Sequence, residues 1–246
     1  MTFAFTCEYI GTNYCGFQRQ KNGPSIQAEL ESALSKILCE PIKIVGSGRT
    51  DAGVHAVGQV CSFKTSDLSK VVNLEKIEFG VNGLLPMDIA IRELRVVNEG
   101  FNARFDARSK QYIYKCYVSR LRSPVLDNSG VLHLHKMPDV AAMQRAAEFL
   151  SGTHDFTSFS SIKTSIEEKV RTIKIDIVAD ENRVTFYFVG NGFLRNMVRI
   201  LVGTLLEIGE GKRKPEDVVT ILRAKDRKVA GQTAPAHGLW LQYVEY

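Results

Sequence analysis

The sequence lacks the cysteine pattern of a disulfide-bonded or zinc-binding protein. Its five cysteines are odd in number, widely spaced and without a CxxC pair. A disulfide framework favours an even set, and a thiolate zinc site favours closely paired cysteines. The pattern therefore argues against both classes and predicts buried, reduced thiols.

Long apolar runs are also missing. The stretch from Ile200 to Leu206 falls well short of the roughly 20 residues that a membrane-spanning helix needs. Residues Met1 to Tyr9 lack a basic segment followed by a long apolar run, which argues against a secretory signal. The composition, 44% apolar and 24% charged over 246 residues, is that of a folded chain. We therefore expect a cytoplasmic protein with no membrane contact.

The net charge of +5 is small, but the basic residues are clustered. Six basic residues and one acid, Asp106, lie between Arg104 and Arg122. A second basic run extends from Lys212 to Lys228. Such clusters suit a polyanion, because each neutralised phosphate releases condensed counterions. Solvated basic surfaces are also common, so charge alone leaves both interpretations open.

The apolar periodicity predicts an α+β fold. Helical spacing follows Ser25 and Asp139 and recurs from Leu194 to Leu205, where Arg195 and Arg199 would share one stripe. Strands outnumber helices without a strict βαβ rhythm, which predicts a largely antiparallel mixed sheet flanked by helices. The second half loosely repeats the first. We expect two similar α+β halves, residues 1–104 and 105–246, with a basic cleft between them.

The loop from Gly46 to Ala56 is the densest group of candidate functional residues. Its glycines permit tight turns that present Asp51 outward beside Arg49 and His55. An Asx-type turn that caps its own backbone explains such an Asp equally well. A functional carboxylate in a partly dry site needs a cation to stay charged, and Arg49 and Arg199 are the two candidates.

Two other patterns each allow two interpretations. Tyr112 and Tyr114 share one face of a strand near Lys110 and Lys115, which suits either an unstacked base or ordinary strand packing. Two histidines at 133 and 135 also share a strand face, but no neighbour completes a tetrahedral metal site. We therefore expect no metal.

One specific sequence string and five supporting strings resemble the TruA family of tRNA pseudouridine synthases. The most specific is Gly48-Arg49-Thr50-Asp51-Ala52-Gly53-Val54-His55. The supporting strings are Gly16-Phe17-Gln18-Arg19-Gln20, Phe101-Asn102-Ala103-Arg104-Phe105, Tyr112-Ile113-Tyr114, Asp155-Phe156-Thr157-Ser158-Phe159 and Phe193-Leu194-Arg195-Asn196-Met197-Val198-Arg199. They span nearly the whole chain, and the resemblance implies the pseudouridine synthase fold.

The resemblance implies a role for each matching residue. Asp51 is expected to be the catalytic nucleophile, in the first half of the chain. Arg49 is expected to hold the flipped-out nucleotide and Tyr112 to stack on the uracil. Arg199 is expected to pair with Asp51, and both Tyr112 and Arg199 belong to the second half. The further residues expected to contact RNA are Arg19, His55, Arg104, Arg108, Lys110 and Arg195.

The resemblance also implies an isomerase that converts uridine to pseudouridine at positions 38, 39 and 40 in the anticodon arm of tRNA. Such a reaction needs no cofactor, and the sequence contains no Rossmann or P-loop string. The resemblance further implies a homodimer. Three alternatives stay open: a non-catalytic RNA-binding module on the same fold, a synthase with a different target uridine, and a hydrolase that releases free uracil.

Overall fold

The computed structural model describes residues 1–21, 23–66, 73–127, 129–163 and 166–246. Strands and helices are mixed along these ranges, so the α+β prediction is confirmed. The strands are β1 (Thr2–Tyr9), β2 (Ile44–Gly46), β3 (His55–Lys64), β4 (Ile89–Val97), β5 (Ser109–Val118), β6 (Leu132–Leu134), β7 (Gly152–Asp155), β8 (Val170–Asp180), β9 (Arg183–Gly190) and β10 (Leu239–Glu245). The α-helices are α1 (Ile26–Leu38), α2 (Leu74–Leu84), α3 (Pro124–Asp127), α4 (Val140–Leu150), α5 (Met197–Gly209) and α6 (Asp217–Ala224).

The chain divides into two compact units. Unit 1 contains residues 1–108 and 241–246, and unit 2 contains residues 109–240. The sequence analysis placed the division after residue 104 and made each half continuous along the chain. In the structure the C-terminal residues group with unit 1, because β10 lies beside β3 and the Tyr246 hydroxyl donates to the Ala103 carbonyl oxygen at 2.7 Å. Local sequence patterns do not indicate that the last residues of the chain pack against its first 108 residues.

Unit 1 is built on antiparallel strands. In its sheet β1 lies between β4 and β3, and β2 pairs with β3. Apolar and aromatic side chains alternate along β1, with Phe3, Phe5, Cys7 and Tyr9 almost completely buried. The opposite face of β1 is also largely buried. The strand therefore contributes to packing on both faces, which its alternating sequence did not predict.

Helix α1 begins directly after Ser25, as its sequence predicts. The Ser25 side chain accepts a hydrogen bond from the Ala28 N–H at 3.4 Å, and Cys39 ends the helix in the left-handed region at φ 48°. The helix carries a buried acid, Glu31, whose Oε1 accepts from the Ile44 N–H at 3.2 Å. Its Oε2 pairs with Arg19 at 2.9 Å. Glu31 thus ties α1 to the first residue of β2, which leads into the Asp51 loop.

In unit 2 antiparallel strands follow one another in the order β5, β9, β8, β7. The short strand β6 pairs with β5 in the parallel direction. Helix α4 contacts both β8 and α5. Phe186, Phe188 and Tyr114 are completely buried in this unit. The apolar faces of β8, β9 and α4 therefore form the core of unit 2.

The helix predicted from Leu194 begins three residues later, at Met197. Asn196 has φ 61°, a left-handed conformation that asparagine tolerates better than most residues, and it separates Arg195 from the helix. The prediction that Arg195 and Arg199 share one helical stripe is therefore wrong. Leu194 is nevertheless buried, which is why the apolar pattern extended beyond the helix.

The thiols are free, but they are not all buried. Cys7, Cys61 and Cys116 are buried, whereas Cys39 is exposed to solvent and Cys15 is partly exposed. Burial raises the pKa of all three buried thiols, so they remain protonated at neutral pH. Among the residues that the structure describes, none of the helices has the length and apolar character of a membrane span.

Replacing Glu31 should destabilise the protein. Glu31→Ala leaves the buried Ile44 N–H without its acceptor, and we expect the free energy of unfolding to fall by about 2–3 kcal/mol. Urea denaturation measures this loss. Ser32→Ala changes the exposed neighbouring residue on the same helix and should leave the stability nearly unchanged. Equal, small effects of the two substitutions would contradict a structural role for Glu31.

Candidate functional site

Asp51 lies in the connection between β2 and β3, as the sequence predicts. The Val54 N–H donates to the Asp51 carbonyl oxygen at 3.2 Å, and Gly53 has φ 77°. This tight turn leaves the Asp51 side chain partly exposed and Arg49 exposed. The loop therefore presents a carboxylate and a guanidinium two residues apart in unit 1.

Buried contacts hold the backbone on the N-terminal side of Asp51. The Tyr9 hydroxyl and the Thr50 hydroxyl lie 2.8 Å apart, and the Phe17 N–H donates to the Thr50 carbonyl oxygen at 3.1 Å. Gly16 has φ 103°, and a Cβ atom there would lie 2.7 Å from the Thr50 carbonyl oxygen. Only glycine fits this close approach without a shift of the loop.

A buried amide of β3 holds the start of the same loop. Gln59 is completely buried, and its side-chain oxygen accepts a hydrogen bond from the Ser47 hydroxyl. Its Nε2 donates to the Gly48 carbonyl oxygen at 2.8 Å. The Ser47 N–H donates in turn to the Val60 carbonyl oxygen at 2.7 Å. The loop is therefore fixed to the strand that follows it.

His55 supports the loop from inside unit 1. Its side chain is 2% exposed, and its Nδ1 accepts a hydrogen bond from the Gly11 N–H at 3.0 Å. A Cβ atom at Gly11 would lie 2.0 Å from the Val54 carbonyl oxygen, so the two backbone segments are in close contact. The sequence analysis expected His55 to contact RNA, whereas the buried ring has almost no accessible surface. Its role in the structure is to position the loop.

Three other candidate arginines lie at the surface of unit 1. Arg19 is half exposed and pairs with the buried Glu31. The guanidinium of Arg104 lies 5.5 Å from the centroid of the Phe105 ring, and both side chains are exposed. Arg108 is also exposed, and its backbone N–H donates to the Glu245 carbonyl oxygen at 2.8 Å. Arg104 and Phe105 together form an exposed cationic and aromatic surface, which the basic count alone did not reveal.

In unit 2 the two tyrosines of β5 differ in their surroundings. Tyr112 pairs with Phe188 of β9 and packs edge to face with Phe193, at a ring-centroid distance of 5.2 Å. Tyr114 is completely buried, and its hydroxyl donates to the Pro235 carbonyl oxygen at 2.9 Å. Burial raises the pKa of the Tyr114 hydroxyl. Tyr114 is therefore a core residue, whereas 7% of the Tyr112 surface remains accessible to solvent.

The two arginines near the start of α5 also differ. Arg199 is in the first turn of the helix and partly buried, and its Nε donates to the Ala234 carbonyl oxygen at 2.7 Å. Arg195 precedes the helix and is exposed. Lys110 lies at the start of β5, opposite Gly190 of β9, with intermediate exposure. Arg199 thus has a defined orientation, whereas Arg195 is at the surface of unit 2.

Three cations of the second basic run form ion pairs with acids of the same chain. Lys212 pairs with Glu210, Arg213 pairs with Glu207 at 2.6 Å, and Lys225 pairs with Asp155 at 2.8 Å. Among the residues that the structure describes, the exposed basic residues of this run without an ion pair are Lys214, Arg223 and Lys228. The basic surface in this region is therefore smaller than the sequence suggested.

The two histidines predicted to share a strand face pack with an aromatic ring, although β6 ends before His135. The His133 ring stacks on Tyr117 at 4.8 Å and forms a hydrogen bond with the Ser119 carbonyl oxygen at 2.7 Å. His135 lies edge to face with His133. Within the described ranges, no group of three or more His, Cys, Asp or Glu side chains is arranged to hold a metal ion.

Comparison with known proteins gives a consistent result. A family model described as tRNA pseudouridine synthase matches residues 6–106 and 146–246. A protein of Brevibacillus brevis named tRNA pseudouridine synthase A is 46% identical over 241 residues, covering 97% of this chain and 96% of that protein. A protein of the same name from an Exiguobacterium species is 44% identical over 239 residues, covering 97% and 95%.

The comparison with solved structures is much more distant. The crystal structure of the archaeal box H/ACA sRNP Nop10–Cbf5 complex aligns with 83% of this chain and 44% of that chain, at 16% identity and a TM-score of 0.36. The family model and the nearly full-length relatives are sufficient, and they show that this chain belongs to the tRNA pseudouridine synthase family of isomerases.

Proposed function

We propose that this protein converts uridine to pseudouridine at positions 38, 39 and 40 in the anticodon arm of tRNA, with Asp51 as the nucleophile. The observation that carries the proposal is the loop around Asp51, which buried hydrogen bonds hold on both sides of the carboxylate. A nucleophile needs such a fixed geometry, because a displacement of about 1 Å can lower a rate by roughly 100-fold. Family membership favours this function over a non-catalytic RNA-binding module.

The reaction is an internal rearrangement. The bond between N1 of the uracil and C1′ of the ribose breaks, the uracil turns, and C5 bonds to C1′ while the C5 proton leaves and N1 takes up a proton. This balance is the same whether Asp51 attacks C1′ or C6, or acts through an elimination. The carboxylate divides one difficult substitution into two easier steps. The RNA keeps its mass, and the reaction needs no cofactor.

The other candidate residues have separate tasks in this proposal. Arg49 holds the target nucleotide after it leaves the stacked RNA, and Tyr112 replaces the lost stacking with its ring. Stacking of a base on an aromatic ring contributes roughly 1–3 kcal/mol. Arg199 keeps Asp51 ionised, because a nearby cation lowers the pKa of a carboxyl group. The packing of Tyr112 against Phe193 favours a fixed ring orientation.

RNA recognition rests on shape and phosphate contacts. An enzyme that modifies three neighbouring positions cannot depend on one base sequence. Exposed Arg104 and Arg108 suit this task, with Arg19, Lys110 and Arg195 as further contacts. We further propose that the protein acts in the cytoplasm as a homodimer in which one tRNA touches both subunits.

Replacing the proposed nucleophile should abolish turnover without weakening RNA binding. We expect Asp51→Asn to lower the release of tritium from tRNA labelled at C5 of uridine by roughly 10⁴-fold or more. Affinity should be unchanged or slightly higher, because one negative charge leaves the RNA site. Asp180→Asn, at the exposed turn between β8 and β9, is the matched control and should react normally.

The products distinguish the alternatives. Tritium release confined to the anticodon arm, with RNA of unchanged mass, is the expected result for the native protein. Release of free uracil would indicate a hydrolase, and modification elsewhere would indicate a different target uridine. Binding of tRNA without any release would indicate a non-catalytic module. Native turnover by Asp51→Asn would exclude Asp51 as the nucleophile.

Arg199 and Arg195 should affect different steps. We expect Arg199→Ala to lower kcat by roughly 100-fold with little change in RNA affinity, because its proposed task is electrostatic support of Asp51. Arg195→Ala removes an exposed charge outside the helix and should weaken binding while kcat is largely kept. Single-turnover kinetics and filter binding measure both effects. An equal loss of affinity and turnover in Arg199→Ala would refute the assignment.

The salt dependence of tRNA binding should identify the residues that contact phosphates. Arg108→Gln is expected to weaken binding and to lower the slope of log affinity against log salt by about 1. Lys225→Gln is the control, since Lys225 pairs with Asp155 at 2.8 Å within unit 2 and should leave the slope unchanged. An unchanged slope for Arg108→Gln would place the phosphate contacts elsewhere.

A further inference from the structure

A segment of unit 2, residues 227–238, connects the helix that carries Arg199 to the strand that carries Tyr112; we call it the strap. The Ala234 N–H donates to the Arg199 carbonyl oxygen at 3.0 Å. The Arg199 Nε donates back to the Ala234 carbonyl oxygen at 2.7 Å. A single residue of the strap therefore binds both the backbone and the guanidinium of Arg199.

The next strap residue binds β5. The Pro235 carbonyl oxygen accepts a hydrogen bond from the Tyr114 hydroxyl at 2.9 Å. A Cβ atom at Gly238 would lie 2.6 Å from the Tyr114 ring, so the strap also packs directly on that ring. Tyr114 is two residues from Tyr112 on the same face of β5. The strap thus sets the spacing between α5 and β5 at the level of the two proposed site residues.

Two polar side chains of α5 hold the strap along its length. Thr204 is completely buried, and its hydroxyl donates to the Ile200 carbonyl oxygen at 2.9 Å and accepts from the Gly231 N–H at 3.0 Å. One turn further along the helix, the Glu207 Oε1 accepts from the Gln232 N–H at 2.9 Å. The strap residues 231 and 232 therefore depend on two helix side chains for their backbone hydrogen bonds.

Glu207 is itself held in place. Its Oε2 pairs with the Arg213 Nε at 2.6 Å, and Arg213 also donates to the Val229 carbonyl oxygen at 3.1 Å. Burial disfavours the charged carboxylate, but the Gln232 N–H and the Arg213 guanidinium outweigh that effect and lower the pKa of Glu207. The carboxylate therefore stays ionised at neutral pH and can maintain both contacts.

The fit between the strap and α5 leaves no room for movement toward the helix. A Cβ atom at Gly203 would lie 1.8 Å from the Gln232 carbonyl oxygen, and one at Gly231 would lie 2.7 Å from the Thr204 Cα. Glycines on both sides allow direct backbone contact. Arg199, Gly203 and Glu207 are spaced four residues apart, so they lie along one face of the helix. A shift of the strap at residues 231 and 232 would thus be transmitted to Ala234, two residues further on.

We propose that Thr204 and Glu207 are positioning residues for the isomerisation: they fix the strap on α5, and through the Ala234 carbonyl oxygen the strap orients the Arg199 guanidinium. The inference rests on the proposed function, because it assumes that Arg199 acts in the reaction. Neither side chain touches the substrate in this role. Their effect on turnover passes through Arg199.

Substitutions of Thr204 separate positioning from stability. Thr204→Val keeps the volume but removes the acceptor of the Gly231 N–H, and we expect kcat per folded enzyme to fall roughly 10-fold with KM within about twofold. Thr204→Ser keeps the hydroxyl but loses a buried methyl group, and it should lower Tm while kcat is retained. A kcat that follows Tm in both variants would overturn the proposal.

Glu207 provides an independent test if Thr204→Val does not fold. Glu207→Met removes both carboxylate oxygens and should lower kcat several-fold. Glu207→Gln keeps an acceptor for the Gln232 N–H and should retain most of the activity. Glu210→Met is the matched control, because Glu210 is exposed, lies just beyond the same helix and pairs only with Lys212 among the residues described. Equal kcat values for Glu207→Met and Glu210→Met would contradict the proposal.

A double-mutant cycle tests the pathway through Arg199. Thr204→Val should lower the single-turnover rate less than about twofold when Arg199→Ala is already present, because its target is gone. The same fold-loss in both backgrounds would overturn the positioning role. If Arg199→Ala alone retains native kcat, the assignment of Arg199 and this inference both fail, while the Asp51→Asn result still decides the reaction.

Discussion

The close contact between the Gly16 backbone and the Thr50 carbonyl oxygen is the constraint on which the rest of the proposed site depends. A glycine-rich loop such as Gly46–Ala56 has high conformational entropy when it is unsupported. Here the Tyr9 hydroxyl and the Phe17 N–H bind Thr50 from one side, and Gln59 binds Gly48 from the other. The glycines that make the tight turn possible are therefore restrained by buried partners. The result is a carboxylate with a defined position at the surface of unit 1.

The parts of the fold that could be predicted from the sequence are those in which local pattern and tertiary packing agree. Helix α1 is an example, because the Ser25 cap and the apolar stripe that follows it specify the same start of the helix. The start of α5 was predicted three residues too early, because Leu194 is buried although it lies outside the helix. Asn196, which follows Leu194, has a left-handed backbone conformation. The loop around Asp51 was identified from its composition. The buried position of His55 could not be, since its partner Gly11 is 44 residues away.

The basic surface of the folded chain also could not be predicted from the sequence alone. The run from Lys212 to Lys228 reads as a basic surface, yet Glu207, Glu210 and Asp155 neutralise three of its cations in the folded chain. All three acids lie outside the run, so counting residues within it overestimates the positive field that an RNA would meet. Arg104 differs because its contact is the uncharged Phe105 ring, which leaves its positive charge available. An exposed cation beside an exposed ring suits RNA better than a longer run of paired lysines.

Most residues in the strings that resemble the family support the fold, and few of them are proposed to act on the substrate. In Asp155–Phe159, the Ser158 hydroxyl donates to the Ile221 carbonyl oxygen at 2.6 Å and accepts from the Asp226 N–H at 3.0 Å, which fixes the end of α6. In Phe101–Phe105, Ala103 anchors the chain terminus through Tyr246. Gly16 and Phe17 serve the Asp51 loop. A side chain that acts on a substrate needs its geometry before the substrate arrives, and backbone groups that are already bonded provide it at little additional loss of entropy. The extent of the resemblance therefore reflects the support of the reactive groups as much as the groups themselves.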